Sequence, residues 1–440
     1  MSIEALTVWM DGVAPPVGVL SRGVHNETSF IYAPGYLEAP DAVPLSLALP
    51  LRSEPYGDAR TRAFFANLLP ENRQLERVLE REGLERDDVV GLLHHLGADC
   101  AGSVSCLPLD APPIKTPGEL ADDYEPLADR ELANIVHSLQ AERRLPAEVR
   151  DPSPVAGVQS KIALTRLPDG RFALPREGSR VPTTHILKVP ARRDARDAKL
   201  EEAAAVLAAA VGLDVSIPTA LTIDGVDALL IERFDRIVAD GTVRRIHQED
   251  FAQALGLPSN LKYERNGRPG RRFDAEAATE VLDATRDPEA ARLAFLTATL
   301  FNLCIGNTDN HAKNHALLYD LPGPPRLAPL YDLLPIRLNA DFTHELAFRI
   351  GGATHFDKMT GDDLRAFFGV MGVADEDFPL VVADVVKPLI EGLERASPSL
   401  RSAGLKSFDD LLGREMEALA EKLTLAAEVE PRDYFPADGI

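Results

Sequence analysis

A chain of 440 residues exceeds the usual span of one hydrophobic core, so two or three domains or lobes are expected. With 45% hydrophobic and 26% charged residues it has the balance of a globular protein rather than a disordered one. The formal net charge of -22 argues against direct nucleic-acid binding, because an autonomous binder needs a basic surface to displace counterions from phosphates.

The opening MSIEALTVWMDG has neither a basic leader nor a long apolar run, and no stretch of about 18 apolar residues follows. A cytoplasmic chain with no membrane partner is expected. Cys100, Cys106 and Cys304 are odd in number and lack a zinc spacing, so buried thiols are expected rather than disulfides or a cysteine-held metal.

In residues 1–107, short apolar stretches such as LTVWM and VPLSLALPL alternate with turn signals. A helical pattern then runs from Arg60 to His95, with FFANLLPENRQLERVLEREG stopping at Gly83, so an α+β subdomain is expected. LPLDAPPIKTPGEL breaks the pattern with four prolines and a glycine, which places a linker and helical connection at 108–144. Residues 145–236 hold three strand candidates, KIALTRL, THILKV and ALLIERF. One helix, KLEEAAAVLAAAVG, is inserted among them, with Leu200, Ala203, Val206, Leu207 and Val211 expected along one face. Residues 237–440 read as mostly helical. A strand-rich lobe followed by a helical one suits a nucleotide held between two lobes, although many folds share that order.

The chemistry concentrates in IGNTDNHAKN, residues 305–314. Asp309 as a carboxylate base and Asn314, five positions later, as an oxygen ligand for magnesium have the offset of a protein-kinase catalytic loop. Short polar side chains suit a hard cation that keeps several waters, and Lys313 would neutralise charge on a transferring phosphoryl group. The plainer role for Asn307, Asp309 and Asn310 is to build the turn after a helix. Asp332 in LAPLYDLLP stands where a second magnesium ligand is required, or else caps a helix.

Lys188 in THILKVP alternates away from Leu187 and Val189, and either aims at phosphates or is a solvated strand lysine. Glu201 or Glu202 offers it a carboxylate partner, or simply opens a helix. In ALLIERFDR the backbone near Glu232 and Phe234, with Asp235 following, is a candidate adenine edge or an ordinary strand end. PVAGVQSKIAL supplies a small-residue turn before a strand, suited to laying backbone N–H groups over phosphates, but it lacks the Walker spacing. GADCAGS, 97–103, has no lysine and is expected to be a structural loop.

In this order FFANLLPE, GADCAGSV, VAGVQSK, THILK, ERFDR, HQEDFAQALG, IGNTDNHAKN and LAPLYD resemble the HipA-type serine/threonine kinase toxins of bacterial toxin–antitoxin modules. The resemblance spans nearly the whole chain. It implies an α+β, two-lobed protein-kinase-like fold, with an extra N-terminal subdomain, a strand-rich N-lobe and a mostly helical C-lobe. It implies ATP and Mg2+ as cofactors, with Asp309 as base, Asn314 and Asp332 as metal ligands, and Lys188 on the phosphates. Glu232, Phe234 and Asp235 would lie by adenine, and Val155, Ala156, Gly157, Val158, Gln159, Ser160 and Lys161 would form the phosphate-covering loop. His311 and Lys313 would tune or position groups in the catalytic segment. Gln248 and Asp250 match a family segment whose mechanism does not follow from the residues; packing of the C-lobe is their plainer role.

The implied substrate is a serine on an aminoacyl-tRNA synthetase, glutamyl-tRNA synthetase or a related one, with stalled translation, growth arrest and persistence as the outcome. The implied partner is a HipB-like helix-turn-helix antitoxin that brings the pair to operator DNA, which leaves this chain free to be acidic. Regulated members carry a serine immediately before the VAG segment, where this chain has Pro154. Ser153 and Ser160 are the candidate self-phosphorylation sites, and absence of such control is the favoured expectation. The other readings are a non-catalytic corepressor partner and, last, a metal-dependent hydrolase using Asp309, His311 and Asp332.

Overall fold

The computed structural model describes residues 4–71, 73–149, 153–154 and 159–427. Two compact units emerge: Met1–Ala198 with Pro218–Ser259 and Ala316–Pro325, and Lys199–Ile217 with Asn260–His315 and Arg326–Ile440. Among the described residues no helix is long and apolar enough to cross a membrane.

The first unit begins with a four-stranded antiparallel sheet in the order Thr28–Tyr32, Gly18–Arg22, Ala5–Met10, Val104–Pro108. Alternation along the Ala5–Met10 strand turns Leu6, Val8 and Met10 inward, where they share a core with Phe64 and Phe65. The helical stretch expected from Arg60 to His95 is three helices, Asp58–Phe65, Arg73–Glu82 and Val89–Leu96. Pro70 separates the first two: it forces Leu69 into extended backbone and cannot continue the helix.

A six-stranded sheet runs in the order Thr219–Ile223, Val226–Glu232, His185–Lys188, Lys161–Arg166, Phe172–Pro175, Tyr124–Pro126. The three strands expected from KIALTRL, THILKV and ALLIERF lie side by side in it. Ile162, Leu164, Leu187, Ala228 and Leu230 pack against Ile135, Val136 and Leu139 of the helix Asp129–Glu142.

In the second unit, the helix Pro288–Cys304 packs against Ala275–Asp283 and the long Lys406–Ala427, which also meets Gly361–Val370. Asp287 caps its start by accepting from the Ala290 N–H at 3.1 Å, and Pro288 occupies the first position, where its missing N–H costs nothing. The inserted helix spans Asp197–Ala210, and its expected stripe holds only in part: Leu200 and Leu207 are buried and Ala203 and Val211 half-buried, but Val206 is 44% exposed, and Ala198, Glu201, Ala204, Ala205 and Ala208 are buried as well. A run of alanines offers little hydrophobic contrast around the helix, so periodicity could not fix the facing side.

The contact grouping joins segments on both sides of 107 and of 236 in one unit. The N-terminal subdomain and HQEDFAQALG lie in one unit because polar groups tie them together. Gln253 donates to the Phe64 carbonyl at 3.2 Å and accepts at its own carbonyl from Ser46 Oγ at 3.3 Å. Asn67 donates to the Leu257 carbonyl at 2.9 Å. Asp250 caps the short helix Phe251–Ala254 through the Gln253 N–H, and Gln248 reaches Asp235 at 3.5 Å. HQED therefore packs within the strand-rich unit, not within a C-lobe. All three cysteines are buried and free, as expected.

Glu249, fully buried in that motif, accepts at Oε1 from the Leu47 N–H at 3.0 Å and the Tyr319 hydroxyl at 2.5 Å. Burial pushes its carboxyl up to about 7, with Asp250 adding repulsion; His247 beside it is held neutral by burial, at about 4. At Glu249 the folded chain therefore binds more protons than the unfolded one between the ordinary glutamate value and about 7, and the contribution of this group to stability falls as pH rises through that window; His247, held low, contributes with the opposite sign. The penalty above the window is about 3 kcal/mol by proton linkage. Glu249→Gln keeps the acceptor and removes the titration, so the variant should gain thermal stability relative to the parent as pH goes from about 5 to about 8. Parallel melting curves across that range would show that Glu249 ionises without cost.

Candidate active site

In the first unit Lys161 and Lys188 stand directly opposite each other on neighbouring antiparallel strands. Lys188 is buried, so it is not a solvated strand lysine; Lys161 is buried too. Two like charges in register disfavour a sheet, and the arrangement suits a multiply anionic ligand such as a polyphosphate. Gln159 is half-buried and Ser160 buried. Val155, Ala156, Gly157 and Val158, the centre of the expected phosphate loop, lie outside the described residues.

ERFDR and GADCAGS meet in a buried ion network. Arg236 bonds Asp99 at 2.7 Å and Asp235 at 2.9 Å, Arg233 bonds Asp235 at 3.0 Å, and Arg245 bonds Asp11 at 2.6 Å. Burial alone would raise both central carboxyls, but Arg233 and Arg236 outweigh it and hold Asp235 at about 2; Arg236, Arg233 and Arg245 hold Asp99 low as well. Asp235 also accepts from the Gly102 N–H at 2.7 Å, so its carboxylate is committed to this network and is not available to adenine. Glu232 is exposed and Phe234 half-buried. Ser153 is buried in the same network, with its hydroxyl donating to the Asp99 carbonyl and accepting from Arg233 at 3.1 Å.

In the second unit the segment 305–314 leaves the helix Pro288–Cys304 through Gly306, whose φ of +71° suits glycine. A Cβ there would meet Leu411 at 2.8 Å and Arg337 at 3.2 Å. Asn307 builds the turn: its side chain donates to Asn302 Oδ1 at 2.8 Å and accepts from the Asp309 N–H at 3.1 Å. The turn-forming role thus holds for Asn307, while Asp309 and Asn314 are brought together.

The Asp309 carbonyl accepts from Asn314 Nδ2 at 2.9 Å and from the His311 N–H at 2.8 Å. Burial raises the Asp309 carboxyl; the Tyr263 hydrogen bond opposes this, the Asp332 carboxylate adds to it, and Lys262 and Arg265 oppose it. Asp309 and Asp332 are in electrostatic reach of each other, and the Asn314 amide bonds the Asp309 backbone carbonyl; oxygen-bearing side chains of these types fit a hard divalent cation. Asp332 has φ +58° and no helix starts at it, which excludes the capping role. Tyr331 ties its segment to 305–314 by donating to the Lys313 carbonyl at 2.7 Å.

Lys313 and His311 are both buried. Burial pushes His311 down to about 3, aided by Lys262, so its ring is neutral; it meets the Tyr263 ring edge-on at 5.1 Å. Among the described residues no cluster of three or more His, Cys, Asp and Glu is assembled for a metal. Magnesium fits such a sparse set, because it completes its shell with waters and substrate phosphates. Of the two candidate partners for Lys188, Glu201 is buried and Glu202 half-buried.

Sequence reasoning missed Tyr263, whose hydroxyl donates to Asp309 Oδ1 at 2.6 Å. Its neighbour Lys262 accepts at its carbonyl from the Ala312 N–H at 3.1 Å, so this segment is stitched to 305–314 at two points. Nothing in KYER marks a contact with a residue 46 positions away.

Two family models cover most of the chain: a HipA N-terminal domain at residues 6–107 and a HipA-like C-terminal domain at 153–390. Putative kinase Y4mE of Sinorhizobium fredii is 37% identical over 408 residues, covering 90% of this chain and 92% of that protein. The serine/threonine-protein kinase toxin HipA of Shewanella oneidensis is 30% identical over 345 residues, 75% of each chain. A solved complex of Shewanella oneidensis HipA with HipB and its operator DNA superposes with a TM-score of 0.80 at 24% identity, covering 97% of this chain and 99% of that one. The α+β kinase-like fold is therefore shared, and the chain belongs to the HipA family.

Proposed function

We propose that the chain is an ATP- and Mg2+-dependent serine/threonine protein kinase, and that it acts as the toxin of a toxin–antitoxin module. The observation that carries this reading is the joining, within one unit, of Asp309, Asn314 and the Asp332 segment through the Asn314 amide and the Tyr331 hydroxyl. Asp309 accepts the proton of the attacking hydroxyl, and its raised affinity for protons suits that task. Asn314 and Asp332 would hold magnesium, which when bound neutralises charge on the nucleotide phosphates. Lys188 and Lys161 bind phosphate oxygens, and Lys313 is the cation nearest in sequence to the reacting group. His311, neutral and packed on Tyr263, positions the loop rather than carrying charge.

The relatives' names support the toxin context. The acceptor is proposed to be an aminoacyl-tRNA synthetase, glutamyl-tRNA synthetase or a related one, with growth arrest as the outcome. A HipB-like antitoxin would supply the contact with operator DNA that a chain of net charge -22 lacks. Self-phosphorylation at Ser153 would require breaking its bonds to Asp99 and Arg233, which favours its absence in this segment.

The test is thermal unfolding with nucleotide. Mg-ATP at about 100 times its dissociation constant should stabilise the chain by roughly 2.7 kcal/mol, and ATP with a chelator by much less. In Asp332→Ala the magnesium dependence should disappear. A chain indifferent to Mg-ATP would instead be a non-catalytic partner of the antitoxin.

A further inference from the structure

The segment from Lys262 to Arg272 is LKYERNGRPGRR without its first leucine, and it opposes the charge of the chain around it. It holds Lys262, Arg265, Arg268, Arg271 and Arg272 against the single acid Glu264, in a protein with 69 acidic and 47 basic residues. Its tip is a tight turn. Arg268 and Arg271 exchange backbone hydrogen bonds of 3.3 and 2.8 Å across Pro269 and Gly270. Proline presets the first central position, and Gly270 takes the φ of +76° that the second requires.

The base of the turn is fixed. Glu264 is buried, donates its N–H to the Ala347 carbonyl at 2.9 Å and accepts from the Arg349 N–H at 2.6 Å. Arg272 is neutralised there by Glu264 at 3.5 Å and by Asp274. Arg265 lies over the Tyr263 ring at 4.0 Å and within 3.9 Å of Glu345. Arg268 and Arg271 differ from these: both are exposed, and neither has an ion-pair partner among the described residues. Two uncompensated guanidinium groups thus sit on a braced turn whose root, at Lys262 and Tyr263, is bonded to the catalytic loop.

We propose that this arginine-tipped turn is a docking point for the acceptor protein, receiving carboxylates on the surface around the hydroxyl to be phosphorylated. The inference rests on the kinase reading of Asp309. A guanidinium fork matches a carboxylate in shape and charge, and charges at the rim of an interface act on encounter and on selection among partners. Nucleic acid fits less well. A footprint on DNA or RNA gains its affinity from many neutralised phosphates, and two free cations on a chain of net charge -22 supply few.

Two generic acceptors test this with the full chain and Mg-ATP: dephosphorylated casein, which is acidic, and myelin basic protein. The unaltered chain should label casein with the higher kcat/KM. In the double variant Arg268→Glu/Arg271→Glu, kcat/KM for casein should fall about tenfold through KM, and the gap should close at about 0.5 M NaCl. Stabilisation by Mg-ATP should be the same in both chains. Equal casein kinetics in the two chains would overturn the proposal. So would loss of binding to a labelled DNA duplex in the variant while casein labelling persists, which would assign the turn to nucleic acid. A chain that is stabilised by Mg-ATP but labels neither protein also counts against the docking role. A chain that Mg-ATP does not stabilise fails one step earlier and overturns the kinase reading itself.

Discussion

Asp309→Asn is expected to lower phosphotransfer by about 10² to 10⁴ while Mg-ATP still stabilises the fold. The substitution changes one group. Asparagine keeps an oxygen for the Tyr263 hydroxyl, which now reaches Asp309 Oδ1 at 2.6 Å. Its backbone still donates to Asn307 and still accepts from Asn314 and His311. What disappears is the capacity to take a proton from the acceptor hydroxyl, so the loss should appear in kcat, with nucleotide binding held. Single-turnover transfer of labelled phosphate measures it. A rate within a few-fold of the parent would remove Asp309 from the role of base.

The largest effect on stability should come from Arg236→Met. Arg236 is buried and bonds two carboxylates, Asp99 at 2.7 Å and Asp235 at 2.9 Å, as well as the Gly102 and Thr183 carbonyls. Methionine fills much of the volume but leaves two buried negative charges with less compensation, and breaking a buried pair in this way costs about 3–5 kcal/mol. Arg144→Met is the control: its ion pair with Glu142 is half-exposed on both sides, and exposed pairs contribute about 0–1 kcal/mol. Urea-unfolding midpoints compare the two. If Arg236→Met shifts the midpoint no further than Arg144→Met, the network is not a source of stability.

Much of the strand-rich unit was legible because its three central strands advertise themselves by runs of alternating or continuous apolar residues between turns. The proximity of Asp309 and Asn314 was legible for another reason: polar residues concentrate in 305–314 at the offset of a kinase catalytic loop, and the structure joins the two through the Asn314 amide. Apart from the alanine-rich helix, where periodicity could not fix even the face, the failures share one cause, which is that sequence periodicity reports a face but not its partner. It could not show that Asp99 would meet Arg236, 137 residues away, or that Asp235 would spend its carboxylate there. Nor could it show that Tyr263 would reach Asp309. Lys188 illustrates the middle case. Alternation set it on the face opposite Leu187, but only strand register revealed Lys161 directly across from it.

The ion network also sets an order of events for a chain made from its N-terminus. Asp11 waits for Arg245, 234 residues further on, and Asp99 for Arg236. Until ribosomes have delivered those arginines, the first hundred residues carry two carboxylates that can be accommodated only by leaving them in water. The N-terminal sheet can pair its strands earlier, since Val104–Pro108 closes it. Its polar flank cannot be buried until more than half of the protein has been synthesised. A nascent chain arrested before Arg245 therefore exposes to chaperones and proteases a surface that the finished molecule hides.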